Sequence, residues 1–240
     1  RAQGAAHVGI VTGREKVLKF EGQYHGMHDY LLWSTASANP ATLGNRRDPI
    51  RYQQTSGVPT AIRGLVLTQP YNDFELLEMV LKREGHQIAA IIVEPILGNS
   101  ASIGPRPGWL QFLREKCDEY GIVLIFDEVK TGFRIAPGGA QQVYGVQADL
   151  TTYAKSMANG FPLAAFGGRR EVMDVVGKGG SPGDPPHGAA VGPAGGHALA
   201  ADVPHLSPPA QCRPGGAVGP GLGIGGQGGL HAIDLPGAAW

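Results

Sequence analysis

Short apolar runs of strand length recur along residues 1–178, and they do not alternate apolar with polar positions. Strands that are buried on both faces, as in a parallel sheet, have this pattern. The pattern therefore predicts a mainly parallel sheet. The runs cover residues 17–20, 64–67, 88–93, 122–126 and 163–166, and a weaker strand candidate covers residues 150–154.

Helical patterns lie between these runs. Asp73 is a candidate N-cap for a helix that ends at Gly85. A second helix follows Pro107, carries apolar residues at three- and four-residue spacing, and stops at Gly121. A third begins at Arg169. Strands that alternate with amphipathic helices predict an α/β fold, a mainly parallel sheet with flanking helices.

The composition changes near residue 179. Residues 179–240 contain 17 glycines and 10 prolines among 62 residues, and they lack Lys, Glu, Phe, Tyr and Met. Ordering such a chain costs about 1–2 kcal/mol of backbone entropy per residue, and few large apolar side chains offset that cost. We predict two parts, a folded domain over 1–178 and a disordered tail over 179–240. A shifted reading frame is an alternative origin of the tail, which an uninterrupted frame in the nucleotide sequence would refute.

Charge and cysteine content narrow the range of partners. The chain has 20 basic and 20 acidic residues, without a block of Lys and Arg, which argues against nucleic-acid and anionic-membrane partners. Cys117 and Cys212 lack metal-type spacing and predict a cytoplasmic protein without disulfides. No apolar run approaches the roughly 20 residues of a membrane helix, and the N-terminus does not resemble a signal peptide.

Polar residues follow several of the predicted strands. Ligands of open parallel sheets bind beyond the carboxyl ends of the strands, so these residues are candidates for a shared site. They are Tyr24 and His25 after the first run, Glu94 and Asn99 after residues 88–93, Asp127 and Glu128 after 122–126, and Lys155 after 150–154.

This set of residue types suits pyridoxal 5'-phosphate. That cofactor needs a lysine for a Schiff base, a carboxylate against its pyridine nitrogen, and groups that hold the ring by stacking and hydrogen bonding. Lys155 and Asp127 supply the first two. Taken alone, the adjacent acids Asp127 and Glu128 are equally consistent with a helix cap or a solvated strand end.

Several motifs also recur in the order of a known family. They are KFEGQYHGMHD, YND, IIVEPILGN, PRPGWLQFLRE, LIFDEVKTGFR and GGAQQVYGVQADLTTYAKSMANGFPLAAFGGRREVMD. Over residues 8–178 the chain resembles the class III aminotransferases of pyridoxal-phosphate fold type I, which include the glutamate-1-semialdehyde 2,1-aminomutases. The resemblance implies part of the large, cofactor-binding domain of that fold.

The resemblance implies a role for each matching residue. Lys155 matches the Schiff-base lysine, which also carries a proton, and Asp127 matches the acid that pairs with the pyridine nitrogen. Val129 matches the residue that packs on one face of the ring, and Tyr24 matches the aromatic that covers the other. Asn99 resembles the amide that reaches the phenolic oxygen of the cofactor in the aminomutases.

Two further residues belong to the predicted site. Glu94 lies at its edge without an assigned role, and His25 shapes the turn after the first strand. His25 and His28 are three residues apart, but neither a third ligand nor an HExxH motif accompanies them, so no metal site is predicted.

The chain departs from the family in two segments that hold the cofactor phosphate. The family carries a small-residue loop upstream of the part that begins here, and a Thr-containing segment where this chain has GSPGDPPHGAAVGPAGG. We therefore expect the central part of a large domain without its phosphate anchors. The full-length form is expected to be a homodimer, because the active sites of the family lie at a subunit interface.

Three functions follow from these observations. The first is a transaminase that moves an amino group between a small amino compound and an aldehyde or keto acid. The second is an aminomutase-type isomerase, and the third is a fragment without catalytic competence. A nucleotide-binding Rossmann domain shares the sheet, but FEGQYHG is a poor version of its glycine-rich turn. The substrate cannot be read from the residues.

Overall fold

A computed structural model describes residues 9, 11–35, 44–161, 163–174 and, for the backbone, 197–202. These residues all lie within one unit of the chain, Arg1–Leu206. Among the described residues, none of the helices has the length and apolar character that crossing a membrane requires.

A seven-stranded sheet forms the centre of the described structure. Its strand order is β4-β1-β5-β6-β7-β8-β9, and all neighbours are parallel except β7 and β8. The predicted mainly parallel sheet is confirmed. The strands are β1 (Lys16–Phe20), β4 (Val66–Gln69), β5 (Ile88–Val93), β6 (Val123–Asp127), β7 (Leu150–Tyr153), β8 (Leu163–Gly168) and β9 (His197–Asp202), and β2 (Gly44–Asn45) and β3 (Asp48–Pro49) form a separate hairpin.

Helices connect the parallel strands. Asp73 caps α1 through an Oδ1 that accepts the Leu76 N–H at 3.2 Å, and Gly121 ends α2 in the left-handed conformation at φ 61°. These two predicted helices are confirmed, and the third, predicted to begin at Arg169, is found at Arg170–Met173. The helices are α1 (Phe74–Glu84), α2 (Trp109–Tyr120), α3 (Gly139–Tyr144) and α4 (Arg170–Met173), with 3-10 turns at Thr60–Leu65, Gly85–Gln87 and Lys155–Met157.

The strand predicted at residues 64–67 lies two residues further along the chain. Gly64 and Leu65 end a 3-10 turn, and the strand is Val66–Gln69. Thr68 and Gln69 extend it because they are in register with Lys19 and Phe20 of β1. Backbone pairing with a neighbouring strand, which the apolar pattern does not encode, therefore sets this boundary.

Apolar side chains cover both faces of the sheet. On one face, Leu124 and Phe126 of β6 pack in a cluster with Trp109 of α2. On the other, Val123 and Ile125 pack in a second cluster. Each strand of this kind contributes to two cores, which explains why its sequence is continuously apolar and why polar groups gather at its end.

Six residues of the predicted disordered tail form a strand. β9, His197–Asp202, pairs in parallel with β8, within the stretch for which disorder was predicted. The prediction was based on the glycine and proline content of all 62 residues, whereas the six residues of β9, HALAAD, include neither glycine nor proline. The rest of the predicted tail lies outside the described residues, and the domain boundary at residue 178 stays a prediction.

Asp149 connects three elements just before β7. Its Oδ2 accepts the Arg114 Nη1–H at 2.9 Å and the Leu124 N–H at 2.8 Å, and its Oδ1 accepts from Arg169 Nη1 at 2.8 Å. The Asp149 side chain is only 6% exposed. Arg114 also bonds Asp118 at 2.7 Å, but that carboxylate is 61% exposed.

The two acids that share Arg114 should differ in their effect on stability. Asp149→Ala is expected to lower the free energy of unfolding by about 3–5 kcal/mol, because it leaves buried partners unpaired. Asp118→Ala, the control, is expected to cost about 0.2–1 kcal/mol, as exposed ion pairs do. Urea unfolding measures both, and equal losses would contradict the assignment.

Candidate active site

Asp127 ends β6 with a buried and well-partnered carboxylate. Its Oδ2 lies 2.9 Å from His25 Nδ1, and its Oδ1 accepts the Val129 N–H at 3.1 Å. Thr152 of the neighbouring strand donates its hydroxyl to the same Oδ1 at 3.4 Å. Asp127 is 3% exposed. These bonds fix the direction of the carboxylate at the carboxyl edge of the sheet.

His25 is fully buried behind Asp127. Burial lowers the pKa of the imidazole below its ordinary value, although the hydrogen bond and the charge of Asp127 oppose this shift. The ring is therefore neutral at pH 7, and Nδ1 donates to the carboxylate. Its Nε2 has no hydrogen-bond partner within the described part of the chain. The sequence predicted that His25 shapes the turn, and the contact with Asp127 adds a second role.

Glu94 anchors two loops at this edge. Its Oε1 accepts the Tyr24 N–H at 2.8 Å, and its Oε2 accepts the Gly98 N–H at 2.9 Å. The Gln23 amide bonds both the N–H and the C=O of Glu94, at 2.9 and 3.1 Å. Glu94 thus joins the turn after β1 to the loop after β5, a role that the sequence left open.

The other predicted cofactor-binding residues lie at different depths. Val129 is buried directly after Asp127, at 2% exposure, whereas Tyr24 is 36% exposed. Asn99 is exposed on the loop after β5, where its Oδ1 accepts a hydrogen bond from Lys130 Nζ. One apolar group therefore lies beneath the edge, and an aromatic and an amide lie at its surface.

Lys155 begins the 3-10 turn that follows β7. Thr152 of the adjacent strand, β7, is in register with Asp127, so Lys155 lies three residues beyond the level of the carboxylate, in the turn after that strand. Lys155 is exposed and has a φ of 50°, a left-handed conformation that costs a non-glycine residue about 1–3 kcal/mol. Strain of this kind concentrates at functional sites.

Glu128 points away from Asp127 and caps α3. Its Oε2 accepts the Ala140 N–H at 2.6 Å and the Thr131 hydroxyl at 3.0 Å, and its Oε1 accepts the Gln141 N–H at 3.3 Å. Burial raises the pKa of this carboxyl, and these hydrogen bonds counter the shift. Of the two adjacent acids, one therefore faces the candidate site and the other caps a helix.

Seven buried side-chain atoms have no hydrogen-bond partner among the residues that the structure describes. Four of the seven belong to residues that follow β1 or β7, namely Glu21 Oε1, His25 Nε2, His28 Nδ1 and Ser156 Oγ. Buried polar groups are nearly always partnered, so unpartnered atoms after these two strands fit a site that receives a polar group. Asp127 suits a protonated ring nitrogen, and the Lys155 amine suits an aldehyde. Groups of three or more metal-ligating side chains are absent from the described residues.

Most of the chain matches a known protein family. A model of the family described as aminotransferase class III matches residues 2–200. The chain belongs to the class III aminotransferases. The match continues beyond residue 178 to the stretch that contains β9, which agrees with the pairing of that strand in the sheet.

Two solved structures of aminotransferases resemble the chain. An omega-transaminase from Sphaerobacter thermophilus is 35% identical with a TM-score of 0.66, over 82% of this chain and 44% of that one. A beta-phenylalanine aminotransferase from Variovorax paradoxus is 34% identical with a TM-score of 0.55, over 72% and 36%. The chain thus spans less than half the length of either relative.

A third similarity concerns the fold. A glutamate-1-semialdehyde aminomutase from Pseudomonas aeruginosa PAO1 is 24% identical with a TM-score of 0.60, over 77% of this class III chain and 40% of that one. The sheet is that of the pyridoxal-phosphate-dependent transferases of fold type I, as the motifs predicted.

Two residues beneath the site were not predicted from the sequence. Gln23 clamps Glu94, and Lys19, which is fully buried, donates to the backbone of the same turn. One signal was available, because Lys19 is a charged residue inside an apolar run. The Gln23 amide left no comparable signal, since glutamine is mostly found on protein surfaces.

The contact between Glu128 and α3 can be tested with two glycines at opposite ends of that helix. Gly139 and Gly145 both have left-handed backbones, at φ 63° and 65°. A Cβ on Gly139 would lie 2.0 Å from Glu128 Oε2, whereas a Cβ on Gly145 would meet nothing within 4 Å. Gly145→Ala should cost about 1–2 kcal/mol for the backbone alone.

Gly139→Ala should cost about 1–3 kcal/mol more than this control, because the methyl group displaces Glu128 from the helix end. Chemical denaturation of the two variants measures the difference. Equal destabilisation would show that Glu128 does not hold α3 as described.

Proposed function

We propose that this chain provides the cofactor-binding centre of a pyridoxal-phosphate-dependent transaminase, which moves an amino group between a small amino compound and an aldehyde or keto acid. The main support is the buried, oriented carboxylate of Asp127 beside the strand that leads to Lys155. Membership of the class III aminotransferases supports the same reaction.

Asp127 would bind the protonated pyridine nitrogen. Its Oδ1 and Oδ2 are already oriented by Val129 N–H and His25, so little reorganisation is needed when the ring arrives. Val129 and Tyr24 would pack on the two faces of the ring, and Asn99 would reach its phenolic oxygen. Pyridoxal phosphate, when bound, supplies an electron sink for the carbanion that forms when the substrate loses its α-proton.

Lys155 would hold the cofactor through its Nζ and then carry a proton. The Lys155 amine, when free, would accept the proton that the substrate α-carbon loses and would later donate that proton, so one residue would serve as both base and acid. The left-handed backbone at Lys155 supports this role, since it fixes the direction in which the side chain leaves the turn.

Sequence identity favours the transaminase reaction over the aminomutase reaction. The two aminotransferases are 35% and 34% identical to the chain, and the aminomutase is 24% identical. Small-molecule amino donors and acceptors are the partners in this proposal. A homodimer and a cytoplasmic location stay predictions.

Borohydride trapping tests the proposal against the alternative of an incompetent fragment. After incubation with pyridoxal phosphate and reduction, peptide mapping should find one stable adduct, on Lys155. Lys155→Ala should abolish it, while Lys82→Ala, which removes a lysine that is 68% exposed on α1, should leave it unchanged. Asp127→Asn should weaken cofactor binding about 10- to 100-fold, because a charge-assisted hydrogen bond is lost.

Two results would count against a functional cofactor site. One is the absence of any adduct in the unaltered chain, which favours the incompetent fragment. The other is an adduct spread over surface lysines in proportion to their exposure, with no loss in Lys155→Ala.

A further inference from the structure

Lys19 is a charged side chain in the interior of the sheet. It lies in β1, which has a parallel neighbour on each side, and it is 0% exposed. Lysine is almost never fully buried without partners that satisfy its amine. Its position between Leu18 and Phe20 in a core strand therefore calls for an explanation beyond packing.

The partners of Lys19 are backbone carbonyls at the active-site end of β1. Its Nζ donates to Gln23 O at 2.9 Å and to Trp33 O at 2.5 Å. Gln23 lies in the turn that carries Tyr24 and His25, and Trp33 lies in the segment that returns beside that turn, where Gly22 N–H donates to Ser34 O at 2.9 Å. One amine thus joins the two sides of this loop.

Further contacts connect this turn to the rest of the site. The Gln23 side chain is clamped to the Glu94 backbone, and the Glu94 carboxylate accepts the Tyr24 and Gly98 N–H groups. His25, two residues after Gln23, reaches Asp127. Hydrogen bonds, together with the backbone of the turn between Gln23 and His25, therefore connect Lys19 to the Asp127 carboxylate and to the loop that carries Asn99.

We propose that Lys19 is a positioning residue that holds the turn of residues 21–25, and through it sets the Tyr24 ring and the His25–Asp127 pair. The part of this inference that concerns bound cofactor rests on the proposed function. The part that concerns the restraint of the turn by Lys19 is independent of the proposed function, because it is based on contacts within the chain.

The charge of Lys19 responds to pH near neutrality. Burial lowers the pKa of the amine to about 7, and the charges of Glu94 and Glu21 oppose the shift. His25 is the other titratable group that faces it, and the ammonium contributes to the lowered pKa of that imidazole. Between about pH 7 and 10.5, the Lys19 amine is protonated in the unfolded chain and neutral in the folded chain. Lys19 therefore makes the free energy of unfolding rise with pH across this window, and this gain is lost as the pH falls towards 7.

The test compares Lys19→Met with Lys16→Met in the full chain. Lys16 is on the same strand and bonds Glu84 at 2.9 Å at the opposite end, so the control removes an equal amine away from the site. Amide hydrogen exchange should show about tenfold loss of protection at Tyr24 and Gly98 in Lys19→Met and no loss in Lys16→Met, since one hydrogen bond of the network is worth about 1.4 kcal/mol. If Lys19→Met does not fold, Lys19→Gln, which keeps an amide donor but no charge, replaces it in the same comparison.

Two further readouts distinguish positioning from general stability. The rise in unfolding free energy above pH 7 should be smaller in Lys19→Met than in the unaltered chain. With pyridoxal phosphate as the probe, Lys155 should still be trapped by borohydride in Lys19→Met, but the circular dichroism of the bound ring should weaken because Tyr24 no longer packs firmly on it.

Unchanged protection at Tyr24 and Gly98 would overturn the proposal. Unchanged circular dichroism of bound pyridoxal phosphate, with protection lost, would overturn its extension to the cofactor. If the unaltered chain forms no adduct at Lys155, the proposed function fails, while hydrogen exchange still decides whether Lys19 holds the turn.

Discussion

The hydrogen bond between His25 and Asp127 joins parts of the chain that lie 102 residues apart. One partner follows β1 and the other ends β6, and β5 lies between these strands. The bond forms only when β1, β5 and β6 are paired, because the register of these three strands brings the two side chains to one edge. The candidate site therefore depends on several paired strands rather than on any single motif.

Other buried charged residues also join separate parts of the chain. Asp149, Glu128 and Lys19 each bond several groups from different parts of the chain. Removing a charged group from water is costly, so the partners must be in place. Each of these residues therefore specifies how the elements around it are arranged.

Much of this could be read from the sequence, and the exceptions have physical causes. The core strands and α1 and α2 were predictable because continuous apolar runs and caps such as Asp73 are local signals. The antiparallel pairing of β8 was not, since backbone pairing leaves no trace in a short apolar run. α3 was hidden because it has six residues, and its start depends on Glu128, which lies eleven residues earlier.

The left-handed backbone at Lys155 has a consequence for how the protein can change over evolutionary time. Glycine would relieve the strain there, and asparagine tolerates the conformation better than lysine does. The most stable residue at this position is therefore not the one that carries an amine. Under the role proposed for Lys155, selection for stability and selection for chemistry oppose each other at this position, so a lineage that no longer needed the reaction would be expected to lose this lysine early.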